Sequence, residues 1–162
     1  VRFRSADQAI RFAYRMMDRA EYAKADLTGA RGRGAGMSPL ELHGEAAVIF
    51  SKVRALPNVE AASVFAMYGV GGERAEAMVA LGSHLMPLVA SDVPNRMVLQ
   101  SLLLHWATRR PSIRTLARDN SVSYRQVCKW RSAVAGAWNP IHSRAMGRLD
   151  SALFGAGGYE KE

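Results

Sequence analysis

The sequence has a single cysteine, Cys128, in 162 residues. A disulfide within the chain is therefore excluded, and so is a zinc site built on several thiolates. That cysteine usage predicts a reducing compartment. Aromatic residues are scarce at 8%, and acidic residues number 14 against 22 Lys and Arg. No apolar run approaches the ~20 residues of a membrane-spanning helix, and the first residues lack the apolar stretch of a signal peptide. The expected setting is cytoplasmic, with no membrane partner. No segment alternates apolar and polar with a period of two, which argues against half-buried strands.

The catalytic inventory is equally thin. The four histidines, His43, His84, His105 and His142, are scattered, with no His-x-x-x-His or Glu-x-x-His pair to build a metal site. "GRGAG" and "GVGGE" lack the strand–turn–helix setting and the Lys-Ser/Thr ending of a phosphate loop. No Ser–His–Asp set can be assembled. The chain reads as a non-enzyme, with no catalytic residue, metal or cofactor expected. His105, inside an apolar run, is expected to be a hydrogen-bonded core histidine.

What is present is an excess of positive charge, unevenly spread. The formal net charge is +8. Residues 1–35 hold eight Lys/Arg and four Asp/Glu, residues 36–108 four and six, residues 109–148 nine and one, and the remainder one and three. One stretch thus carries a charge equal to the whole excess, which points to a polyanionic partner, nucleic acid before membrane. The hydrophobic fraction of 49% is enough for a buried core. Val1 is what a GTG start read literally would give, an expectation of a bacterial or phage gene.

Helical signals run along the chain. "SADQ" (5–8) is a capping box that opens a helix to about Lys24, with Ile10, Ala13, Met17 and Ala20 as its apolar stripe. Arg11, Arg15 and Arg19 line another face, either a solvated exterior or a contact for RNA or an acidic protein surface. "LTGARGRGAGM" (27–37) is predicted as a loop, whose Arg31 and Arg33 either belong to a plain linker or touch phosphates. Ser38 and Glu41 form a second capping box, and the helix runs to about Ala55 with Leu42, Ala46, Ile49, Phe50 and Val53 inward. Further helices are predicted over 58–68, stopped by Gly69, and over 73–90, with Pro87 ending or kinking the second. "PNRMVLQSLLLHWATRR" (94–110) is apolar on nearly all sides and is predicted to lie centrally. A last helix is predicted from an Asn139 cap and Pro140, with Ile141, Ala145, Leu149 and Leu153 at steps of four. The tail 155–162 is predicted to be flexible.

Between them lies "SIRTLARDNSVSYRQVCKW" (112–130). Val122, Val127 and Trp130 follow Ala117 by five, ten and thirteen residues. This spacing resembles the bacterial helix-turn-helix, and "VSYRQVCKW" is similar to its "VSxxTVxxW" form. The resemblance implies that Ala117 lets the second helix approach, Val122 plugs the corner, and Val127 and Trp130 seal the core. Ser123 caps the second helix. Asn120-Ser121 stands where a left-handed glycine is usual. Ser123, Tyr124, Arg125 and Cys128 are then the base-reading candidates, with Arg125 suited to guanine. Arg109, Arg110, Arg114, Arg118, Lys129 and Ser132 are the phosphate-binding candidates.

"LPNVEAASVFAMYGVGGERAEAMVALG" (56–82) resembles the sigma-factor region that recognises the promoter −35 element. Its three glutamates against one arginine suit packing better than phosphate binding. From about Ser38 to Leu153 the layout resembles the late-gene antitermination (Q) proteins of lambdoid phages, without the zinc-binding insertion of the lambda-type member. The expectation is an all-α chain: 1–37 an N-terminal helix and Arg/Gly-rich loop, 38–154 a compact helical DNA-binding domain with its helix-turn-helix at 112–134 behind a sigma-region-4-like segment, and 155–162 a tail. The resemblance implies a transcription regulator that binds double-stranded late-promoter DNA, joins RNA polymerase, contacts nascent RNA in some arrangements, and works at the nucleoid of a bacterial host. The alternatives are a dimeric helix-turn-helix repressor or activator, and a small terminase-like packaging adaptor. Oligomerisation on DNA is compatible with each.

Overall fold

Local capping and helical periodicity dominate the architecture. The computed structural model describes residues 3–23 and 39–155, and the side chains of 3–18 and 40–155. These residues form α1 (Ala6–Ala23), α2 (Pro39–Arg54), α3 (Asn58–Tyr68), α4 (Gly71–Val89), α5 (Arg96–Thr108), α6 (Ile113–Asp119) and α7 (Tyr124–Phe154). The chain is all-α over that range, and no helix in it is long and apolar enough to cross a membrane. The predicted loop over 27–37, the Ser38 cap and residues 156–162 of the predicted tail lie outside the described residues.

Two compact units divide the chain: Val1–Ala55 with Met146–Glu162, and Leu56–Ala145. α7 contributes residues to both. In the first unit, Ser5 caps α1 as predicted, its Oγ accepting the Gln8 N–H at 3.3 Å. The Gln8 Oε1 reaches back to the Arg4 N–H (2.7 Å), one residue earlier than in the usual reciprocal box. Asp150 accepts the Ala6 N–H at 2.8 Å, placing a carboxylate at the positive end of α1. Ala6, Ala9, Ile10 and Ala13 are buried, but Met17, predicted on the same stripe, is 52% exposed. α2 buries Ala46, Ile49, Phe50 and Val53. Tyr14 meets Phe50 edge-on, with ring centres 4.9 Å apart.

In the second unit, α3, α4, α5, α6 and the first part of α7 share one apolar cluster, from Ala62 to Ile141. Gly69 ends α3 as predicted, although its φ of −60° is not left-handed. Glycine is needed there because a Cβ would meet the Phe65 carbonyl oxygen. A Cβ on Gly82 would likewise meet the Gln100 amide, whose Nε2–H donates to the Met78 carbonyl at 3.0 Å and ties α5 to α4. Pro87 does not end α4, which continues to Val89.

Two expectations are corrected. α5 is not buried all round: Val98, Leu99, Leu102, Leu103 and His105 face inward, while Met97 is 81% exposed and Leu104 lies at the surface. And Asn139-Pro140 does not start a new helix, since α7 runs through both without a break. Proline removes the bond to the carbonyl four residues back, which is that of Gly136. Gly136, Asn139 and Pro140 are exposed, so water can take that carbonyl. Trp138 and Ile141, on either side of Pro140 in the chain, are buried.

Candidate nucleic-acid interface

The basic stretch lies on α6, α7 and the two corners flanking α6. Residues 109–132 carry seven Lys/Arg and one acid, Asp119. All of these cations are exposed except Arg131, which is half-buried.

α6 starts at Ser112, whose Oγ accepts the Thr115 N–H at 3.1 Å. It buries Ile113, Leu116 and Ala117. Arg114 and Arg118, four residues apart, share the opposite, exposed face. Arg118 Nε lies 3.2 Å from Asp119 Oδ1, an exposed pair that is weak in water.

The corner after α6 closes by two backbone bonds. The Val122 N–H donates to the Ala117 carbonyl (3.0 Å) and the Ser121 N–H to the Arg118 carbonyl (3.1 Å). This 6→1 and 5→2 pair is the Schellman arrangement, which demands a left-handed residue at the position Ser121 occupies. Its φ is +52°. Asn120 keeps a φ of −101°, and its side-chain amide donates to the Leu116 carbonyl at 2.9 Å. Of the two residues expected at this corner, serine therefore takes glycine's place. Val122 packs against the core beside it.

α7 begins with Ser123 as its cap, the Oγ accepting the Gln126 N–H at 3.1 Å. Val127, Trp130, Val134 and Trp138 are buried on one side. Arg125, Lys129 and Ser132 recur at steps of four and three on the exposed side, and Tyr124 is 55% exposed at its flank. Cys128 departs from the expectation of a groove-facing residue: it is half-buried and packs partly against the core. At 100° from Val127 around the helix, it stands at the edge between the two faces.

The corner before α6 holds Arg109 and Arg110, both exposed. Arg109 ends α5 with φ +63°, and its N–H donates to the His105 carbonyl at 2.7 Å. His105 is 6% exposed and hydrogen-bonded as predicted, its Nδ1–H donating to the Pro111 carbonyl at 2.8 Å. The remaining candidates lie in the other unit. Arg11 and Arg15 are exposed on α1, Arg11 paired with Asp7 at 2.9 Å. The side chain of Arg19 and the whole of Arg31 and Arg33 lie outside the described residues.

One polar cluster was not visible in the sequence. Ser63 on α3 is fully buried and accepts the Trp138 Nε1–H at 2.7 Å. Its Oγ lies 3.1 Å from His142 Nδ1, and Tyr68 stacks on the His142 ring. Beside it, Arg144 Nε stands 3.6 Å from the buried Glu60. The partners are about 75 residues apart in the chain, so no local pattern signals them. The chain matches no protein-family model and no curated protein.

Proposed function

We propose that this protein is a sequence-specific DNA-binding transcription regulator, and that α6, its corner and the start of α7 act as a helix-turn-helix. One observation carries the reading. Leu116 and Ala117, the left-handed corner at Ser121, Val122, and the buried pair Val127 and Trp130 stand in the order such a motif requires. That arrangement leaves Arg125, Lys129 and Ser132 on the outer face of α7, where the first turns of a recognition helix meet base edges. Arg125 is the base reader, Tyr124 and Ser123 flank it, and Lys129, Arg114 and Arg118 hold phosphates. Cys128, being half-buried, has a lesser share in reading bases.

Within that class, we propose late-gene antitermination with RNA polymerase as the protein partner. This finer reading rests on the resemblance of layout, and the charge division supports it: the basic segment suits DNA, while the 36–108 segment, with Glu73 and Glu76 exposed on α4, suits protein.

Selection of bound sites from a random duplex pool tests DNA recognition. Arg125→Ala should then lose about 1–3 kcal/mol on the selected site and less on random duplex. Lys129→Ala should weaken both alike. Equal losses for Arg125→Ala would remove its base-reading role, and a parent protein that binds no duplex would remove the reading altogether.

A further inference from the structure

Among the described residues, the non-glycine residues with positive φ are Arg109 and Ser121. They end α5 and α6, each at the position where a left-handed glycine normally closes a helix. An L-residue is strained there, and such strain persists where the surroundings or a function require it. Both turns close on a backbone bond, the Val122 N–H on the Ala117 carbonyl and the Arg109 N–H on the His105 carbonyl. Arg109 carries the bulkier side chain at a turn that glycine would make more easily.

The α5–α6 corner is also well braced. His105, itself buried, holds the Pro111 carbonyl. The Thr108 hydroxyl accepts the Arg110 N–H at 3.2 Å and lies within donating distance of the Leu104 (2.8 Å) and Arg110 (2.9 Å) carbonyls. Two neighbouring arginines thus project from a backbone with little freedom. The sequence contains no Asp or Glu between Asp92 and Asp119, so the arginines of this corner have no acid close by in the chain. Guanidinium groups pair with phosphate oxygens through parallel N–H bonds.

We propose that the α5–α6 corner is a clamp for the nucleic-acid sugar-phosphate backbone, in which Arg109 stands in glycine's place because its guanidinium binds phosphate. The clamp rests on the DNA-binding reading above and adds to it a contact made at a cost in stability. It binds without regard to sequence and acts beside the base-reading face of α7.

The test uses the full chain and a random-sequence duplex, with affinity measured across a salt series. Each phosphate contact contributes about 0.9 to the slope of log affinity against log salt. Arg109→Gly should raise the melting temperature by about 2–8 °C and make that slope shallower by about 1. Ser121→Gly, which relieves the same backbone strain at the other corner, should raise the melting temperature and leave the slope unchanged. If Arg109→Gly keeps the parent slope, the clamp is overturned while DNA binding stands. If the parent shows no salt-dependent duplex binding, the DNA-binding reading falls and the clamp with it.

Discussion

Ser63 shows how one small residue can join distant helices. Its hydroxyl is the hydrogen-bond partner of Trp138 and stands beside His142, and both Ser63 and Trp138 are fully buried. Removing the hydroxyl strands the indole N–H in an apolar core, where an unmade bond costs more than a made one contributes. Ser63→Ala should therefore destabilise the protein by about 1–3 kcal/mol in denaturant unfolding, with DNA binding by the folded protein retained. A variant as stable as the parent would mean that another acceptor reaches Trp138. Trp130 is the apolar counterpart. It is 5% exposed and lies in the same cluster as Leu116 and Val127. Trp130→Ala should cost about 3–5 kcal/mol. A melting curve unchanged from the parent would show that the α6–α7 packing does not depend on it.

At the scale of the element, α7 has two tasks at its first turn. Ser123 closes its N-terminus by accepting the Gln126 N–H, and its side chain is exposed beside Tyr124 and Arg125. Aspartate caps as well as serine and also suits the positive end of a helix dipole. Its charge, however, opposes phosphate. Ser123→Asp should hold or slightly raise stability while weakening duplex binding, whereas Ser123→Ala should lose about 0.5–2 kcal/mol of stability through the cap. Thermal melting and duplex titration of the two variants separate the roles. Undiminished binding by Ser123→Asp would place the start of α7 away from DNA.

For the whole molecule, the relevant quantity is the distribution of charge. The 109–148 segment has nine cations and one acid, while 36–108 is net acidic. A regulator that also engages polymerase needs surfaces of both kinds. On α1, Arg11 and Arg15 are exposed, and the Arg11–Asp7 pair is an exposed one that is weak in water. Reversing Arg11, Arg15 and Arg19 to glutamate should still impair terminator readthrough in run-off transcription while leaving binding to the isolated DNA site largely intact. The template carries the promoter region flanking the gene and a downstream terminator. Tight site binding with neither polymerase association nor readthrough would leave a conventional operator-binding regulator in place of the antiterminator.

The sequence by itself determined the helical class, most helix limits and the caps at Ser5 and Ser123, because these depend on contacts within five residues along the chain. The inward positions Ala117, Val127 and Trp130 were legible through the resemblance of their spacing to a helix-turn-helix, and all three are buried. The tertiary structure decided what depends on distant neighbours. Pro140 reads locally as a helix start, yet α7 continues through it between the buried Trp138 and Ile141. Met97 and Leu104 read as core, yet α5 meets its neighbours on one side only. Ser63, Trp138 and His142 show no pattern until α3 and α7 pack together. The left-handed turn at Arg109 is hidden too, since nothing in an arginine announces glycine's conformation. Local propensity and periodicity act through the nearest turns of chain, whereas exposure, buried hydrogen bonds and tolerated strain are set by which surfaces meet.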